Sequence, residues 1–175
     1  MEYATLNNGI DMPMAGIGTF LLTPDETETS VSSALQCGYR LIDTANAYVN
    51  EKAVGRAIKK SGLKREEIFL ETKLWPCFYE QADAVDKTLM RLDTGYIDLL
   101  LIHQPFNDYY GTYRAMEEAY KAGKLRAIGV SNFYPDRLID LCQFVEVIPA
   151  VNQVETHVFQ QQKSAHAYMK KYGVQ

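Results

Sequence analysis

The stretch that decides the fold runs from Gly38 to Gly55 and reads GYRLIDTANAYVNEKAVG. It opens as a buried strand would, with Leu41 and Ile42, then turns polar at Asp43 and stays polar through Asn50. An acid at the mouth of a strand is costly to bury unless something pairs with it. A tyrosine, Tyr48, follows five residues later. From Glu51 the spacing becomes helical and continues to Ser61, where Gly62 closes it. Strand, polar loop and helix together make one βα unit.

The same unit recurs along the chain. Upstream, Tyr3 to Leu6 and Ile10 to Met14 flank Asn8-Gly9 and predict a β-hairpin. Met14 to Gly18 predicts a first core strand. Thr23 caps a helix that has Pro24 at its first position, runs to about Cys37 and stops at Gly38. Downstream, strands are expected over Arg40–Asp43, Ile68–Lys73, Ile97–His103, Ala127–Ser131 and Ala150–Glu155. Helices are expected over Glu80–Leu92, Tyr110–Ala122, Asp136–Phe144 and Gln160–Tyr172. Val174-Gln175 would begin another strand.

Strands alternating with helices imply parallel βαβ units. The strands FLETKL, IDLLLIH and AIGV are apolar on both faces, as in a sheet covered on each side. Six units are complete, whereas a closed (β/α)8 barrel has eight in about 250 residues. A doubly wound six-stranded sheet is the alternative. No GxGxxG follows the first strand, which argues against a dinucleotide fold of that type, and the Gly16-Ile-Gly18 pair alone is weak. No linker interrupts the series, so residues 1–175 read as one partial barrel domain.

Composition narrows the function. The chain has 175 residues, 47% hydrophobic and 23% charged, with a formal net charge of −4. No dense Lys/Arg run suggests nucleic acid, and no long apolar run suggests a membrane span. Cys37, Cys77 and Cys142 show no CxxC spacing and read as reduced thiols in a cytoplasmic protein. The histidines His103, His157 and His166 have no ligand spacing, so no metal is expected.

Polar residues collect at strand carboxyl ends: Asp43, Lys73, His103, Ser131-Asn132, then Gln153 and Glu155. In a parallel barrel these ends share one face, and that face carries the active site. Tyr48 lies on the loop after Asp43, on the same face. Each residue has a plain structural use: a helix cap, a solvated lysine, a loop histidine, a surface aromatic. Their convergence on neighbouring strands favours chemistry. A phenol has a reference pKa of about 10, which a nearby ammonium lowers. An aspartate beside a buried lysine keeps that lysine charged. Asp43, Lys73 and Tyr48 thus form a relay of carboxylate, ammonium and phenol. Such a phenol can protonate a developing alkoxide, with His103 orienting the substrate oxygen.

At this point the sequence resembles the aldo-keto reductases. Gly38-Tyr39-Arg40, Asp43-Thr44-Ala45, Glu51 and Val54-Gly55 match that family's first signature, and Ile128-Gly129-Val130-Ser131-Asn132-Phe133 its second. Lys73 in ETKLW and His103 in LIHQP fall where the family has its lysine and histidine. The resemblance implies a (β/α)8 barrel with an N-terminal hairpin across its bottom. It implies NADPH, or NADH, as hydride donor to a small-molecule aldehyde or ketone. Tyr48 would donate the proton, supported by Asp43, Lys73 and His103. Ser131, Asn132 and Gln153 would hold the nicotinamide carboxamide. Gly18-Thr19 would lie along the cofactor, and Phe20, Trp75 and Phe106 would line the substrate pocket.

Two departures from the family pattern stand out. Gln104 follows the histidine where many mammalian-type members carry tryptophan, so a more polar pocket wall is expected. The family's seventh and eighth units, which grip the adenosine phosphate, would lie past Gln175. The chain is therefore expected to be a fragment, with its first and sixth strands as open edges and self-association as one means of covering them. The alternative to a carbonyl reductase is a non-catalytic barrel fragment without a grip on the cofactor. A hydrolase or phosphatase is disfavoured by the lack of a nucleophile elbow or P-loop.

Overall fold

A computed structural model describes all residues, Met1 to Gln175. Strands β1 (Tyr3–Thr5) and β2 (Asp11–Pro13) form the antiparallel hairpin. The main sheet holds β3 (Gly16–Gly18), β4 (Leu41–Asp43), β5 (Phe69–Leu74), β6 (Ile97–Ile102), β7 (Leu125–Ser131) and β8 (Asn152–Gln153), all parallel. Helices α1 (Pro24–Gln36), α2 (Glu51–Lys60), α3 (Ala84–Leu92), α4 (Tyr109–Lys121), α5 (Pro135–Phe144) and α6 (Lys163–Tyr172) connect or follow them.

Each core strand pairs with the next in sequence, in the order β3-β4-β5-β6-β7-β8. A doubly wound sheet must reverse its order at a switch point. No reversal occurs, so this is a barrel-type sheet, curled and incomplete.

Side-chain alternation divides the core in two. Leu41, Phe69, Leu99, Leu101, Ala127 and Val151 form the inner cluster with Leu6, and the hairpin residues Ile10 and Met12 pack against it. The hairpin thus closes the bottom of the sheet, as its resemblance implied. The opposite face presents Ile42, Leu70, Ile102, Ile128 and Val130 to Val31, Val54, Met116 and Leu138 of the helices. Local chemistry starts α1 where expected. The Thr23 hydroxyl accepts from the Glu26 amide, and the Glu26 carboxylate accepts in return from the Thr23 amide.

Besides shifts of one or two residues at strand ends, three departures from expectation matter. The helix expected from Glu80 starts at Ala84, because Pro76–Phe78 form a 3-10 turn and Tyr79 is buried beyond it. The helix expected from Gln160 starts at Lys163, because His157 and Gln160 exchange backbone bonds in a tight turn. The sixth core strand is shorter than expected, and it is not an edge. Asn152 donates its backbone N–H to Gln175 (2.8 Å), and Gln175 donates to Ala150 (3.1 Å). Gln175 therefore lies beside β8 where a next strand would pair, while the Val174 N–H still bonds the Met169 carbonyl of α6, and the open edges are β3 and Gln175. No helix is long and apolar enough to cross a membrane.

Helices α2 and α3 touch through Gly55. A Cβ built there would lie 2.0 Å from the Leu92 carbonyl oxygen, a backbone atom that cannot swing away. Gly55→Ala should destabilise the chain by on the order of 3 kcal/mol, read as a lower urea midpoint with an unchanged m-value.

Candidate active site

Asp43 ends β4, and its register partner on β5 is Glu71. Lys73 lies two residues beyond Glu71, so both point into the barrel. Lys73 is 1% exposed. Its Nζ donates to Asp43 Oδ1 (2.5 Å) and to the Thr44 carbonyl (3.1 Å), and lies 3.9 Å from Glu71 Oε1. The acid at the strand mouth is thus paired with the buried ammonium.

Tyr48 sits on a 3-10 turn, Asn46–Tyr48, directly after β4. Lys73 Nζ lies 5.6 Å from its ring centroid. Around it, Phe20 packs at 5.0 Å between ring centroids and His103 at 5.8 Å, edge-on, with Trp75 4.8 Å from His103. Four of the expected aromatic and catalytic side chains thus share one mouth. Phe106 is exposed on the loop after His103 and has no ring partner in this cluster.

The electrostatics correct one expectation. Lys73 was expected to pull the Tyr48 phenol down; instead its pKa is pushed up to about 12. Burial is the largest cause, followed by the negative charges of Asp43 and Glu71. The lysine's charge is already matched by Asp43, so it does not offset the burial of the phenol. Glu71 itself is pushed well above the usual carboxylate range, by burial first and then by the Asp43 charge, with Lys73 opposing.

His103 is buried, and its Nδ1 has no hydrogen-bond partner. Burial, and then the Lys73 charge, depress its pKa to about 4, so the ring is neutral at pH 7. Its backbone is held on both sides. The His103 N–H donates to the Leu74 carbonyl (3.0 Å), and Asn132 Nδ2 donates to the His103 carbonyl (3.1 Å).

The remaining expected residues lie at the same end. Ser131 Oγ donates to the Gln153 backbone carbonyl (3.0 Å), and Asn132 takes a left-handed φ of 62°. Gly18 has nothing within 4 Å of where a Cβ would stand, so its surface is open. Gly18, Asp43, Glu71 and Gln153 line one cleft of about 530 Å³. Thr19 behaves differently: it is fully buried, its N–H bonds the Asp43 carbonyl (3.0 Å), and its hydroxyl is turned to Asn50 Oδ1 (3.4 Å). That hydroxyl is spent inside the fold.

Sequence reading missed four residues that shape this mouth. Asn50 Nδ2 donates to the carbonyls of Thr19 (2.9 Å) and Leu22 (3.1 Å), while its Oδ1 accepts from Thr44 (3.0 Å). Asn46 Oδ1 accepts from the Trp75 N–H (3.0 Å). The Tyr79 hydroxyl donates to the Gln104 carbonyl (2.8 Å) and accepts from the Gln104 N–H (3.0 Å). Glu71 is the fourth, and its signal was available: it is two residues from Lys73 on one strand, hence on the same face.

The model of the aldo/keto reductase family matches residues 15–175. The chain belongs to that family. It is 46% identical to the glyoxal reductase of Bacillus subtilis, over 97% of this chain and 63% of that protein. The crystal structure of an aldo/keto reductase from Brucella melitensis superposes with a TM-score of 0.96 at 40% identity, over 99% of this chain and 68% of that one. A Bombyx mori aldo-keto reductase solved in complex with NADP superposes with a TM-score of 0.94 at 33% identity, over 99% of this chain and 64% of that one. The chain spans less than two thirds of the length of the curated relatives it matches.

The buried, neutral His103 has a consequence for stability. The unfolded chain takes up this proton at pH values where the folded chain does not. The folded state therefore keeps its full advantage above about pH 6.5 and loses it as pH falls towards 4. His103→Gln should flatten the fall in unfolding free energy across that window, measured by urea unfolding at a series of pH values.

Proposed function

We propose that this chain carries the chemical centre of an NADPH-dependent reductase that turns aldehydes and ketones into alcohols. The observation that carries the reading is the Lys73–Asp43 pair beneath the Tyr48 ring, with neutral His103 beside it. Membership of the aldo/keto reductase family supports it. So do the glyoxal reductase relative and the NADP complex of the Bombyx mori protein.

The residues present suit a nicotinamide cofactor. Gly18 offers backbone with no side chain above it, and Ser131, Asn132 and Gln153 bring hydroxyl and amide groups to one place. These three would hold the carboxamide, with Gly18 beside the nicotinamide ribose. The cofactor, when bound, supplies a hydride to the carbonyl carbon. The chain's own part is the proton. As negative charge grows on the carbonyl oxygen, Tyr48 Oη gives its proton to that oxygen and is left as phenolate. The Lys73 ammonium stabilises the phenolate, and Asp43 holds the ammonium in place. Neutral His103 donates a hydrogen bond to the same substrate oxygen. Phe20 and Trp75 form the apolar wall at the mouth, which suits small carbonyl compounds as the substrate class.

Two measurements test this reading. NADPH titrated into the 175-residue chain should quench the fluorescence of Trp75, the only tryptophan, saturably at micromolar concentration. A folded chain that shows no quenching would mean that the six units do not hold the cofactor. Tyr48→Phe should lower carbonyl-dependent NADPH oxidation by about 10²- to 10⁴-fold, the usual worth of a general acid, with NADPH affinity retained. Turnover that survives this substitution sinks the assignment.

The open edges at Gly16–Gly18 and Gln175 lead to a proposal about assembly. Unpaired strand edges recruit other strands, so the chain on its own should self-associate. Sedimentation should show an apparent mass that rises with concentration; a monomer at all concentrations refutes it.

A further inference from the structure

Of the polar side chains that face into the barrel beside Lys73, Glu71 is the one to which family resemblance gives no part. Its surroundings give it one. The Gln153 side chain reaches across the interior from β8, and its Nε2 donates to Asp43 Oδ2 (2.6 Å) and to Glu71 Oε1 (2.7 Å). A primary amide has two N–H donors and one carbonyl oxygen. Both donors are therefore used, each on a different carboxyl group. The reverse orientation would set the amide oxygen against the Asp43 carboxylate oxygen.

Asp43 could not impose this alone. Its Oδ1 is committed to Lys73, and its Oδ2 takes a single N–H. One bond would leave the amide free to turn about it. The second, to Glu71, fixes both its plane and its direction. Glu71 can supply that bond because it stands opposite Asp43 in the β4–β5 register and is 2% exposed, out of competition with water. Gln153 Oε1 is left without a donor from the protein, and Gln153 lines the same cleft as Gly18.

We propose that Glu71 is a positioning residue: by taking the second N–H of Gln153 it points Gln153 Oε1 into the cleft, as an acceptor selective for an N–H donor on the cofactor ring. This rests on the reductase reading, in which the donor is the carboxamide NH₂ of the nicotinamide. The selectivity follows from the chemistry of the acceptor. An oxygen held by two bonds behind it rewards an N–H and gives nothing to a methyl group in the same position.

The experiment has two readouts. In the first, the Gln153 side-chain amide of the labelled chain is followed by NMR, assigned by its loss in Gln153→Leu. Both protons should exchange slowly with solvent. Glu71→Leu, similar in volume and without an acceptor, should release one of them; Glu71→Gln, whose amide oxygen still accepts, should hold it. In the second, calorimetry compares NADP⁺ with its 3-acetylpyridine analogue, which replaces the carboxamide NH₂ by methyl. The parent chain should prefer NADP⁺ by about tenfold, the worth of one good hydrogen bond. Glu71→Leu should abolish that preference, and Glu71→Gln should restore it. Slow exchange of both protons in Glu71→Leu, or an undiminished preference there, overturns the assignment. A parent chain that binds neither dinucleotide counts against the reductase reading, and amide exchange alone then decides the role of Glu71.

Discussion

Everything at the mouth of this barrel depends on one buried charge. A lysine ammonium removed from water costs several kcal/mol unless its donors are satisfied. Lys73 is satisfied by Asp43 from the neighbouring strand and by the Thr44 carbonyl next to it. That pairing holds only in the observed register. A slip of one residue between β4 and β5 would turn the whole inward set to the helical face. The ion pair therefore acts as a register lock as well as a chemical group. It also explains why β4 stops at Asp43: the next residues must leave the sheet to bring Tyr48 over the ammonium.

The loops that follow are held by side chains bonding to backbone rather than to one another. Asn50 ties the loop after β3 to the loop after β4, and Asn46 ties the latter to the start of the loop after β5. Tyr79 carries the chain of contacts on to the loop after β6, and Asn132 joins that loop to the end of β7. Each bond satisfies a backbone group that a loop would otherwise leave to solvent. Together they link five successive strand ends, so the loops that carry the proposed catalytic residues are tied to one another.

This pattern also shows what the sequence could and could not disclose. The βα alternation was legible because apolar strands and glycine-closed helices carry strong local signals. The helix starts at Ala84 and Lys163 were not, because a long-range contact (Tyr79 with Gln104) and a local turn at His157 displaced them. The pairing of Asp43 with Lys73 was legible from charge and position. The upward shift at Tyr48 was not, because it comes first from burial and then from the charges of Asp43 and Glu71. The side of the strand that Glu71 takes is legible by alternation; its effect needs the three-dimensional closeness of Asp43, Glu71 and Gln153. The partner of the Thr19 hydroxyl was not legible for the same reason: it is Asn50, thirty-one residues away.

A phenol pushed upward looks at first like a poor acid for the proposed reduction, and the charge balance resolves the difficulty. While Tyr48 holds its proton, the ammonium at Lys73 is matched by Asp43 and does little for a neutral ring. The need for a cation arises only as the proton leaves and charge appears on Oη. An interaction that is weak in the ground state and strong as the phenolate forms lowers the barrier rather than merely tightening binding. The raised pKa keeps the proton on Tyr48 until a substrate oxygen becomes basic enough to take it. The same inward carboxyls that raise it also hold Lys73 and Gln153 in place. A site without Glu71 and Asp43 would have a more acidic tyrosine, and neither a fixed ammonium nor a fixed amide beside it.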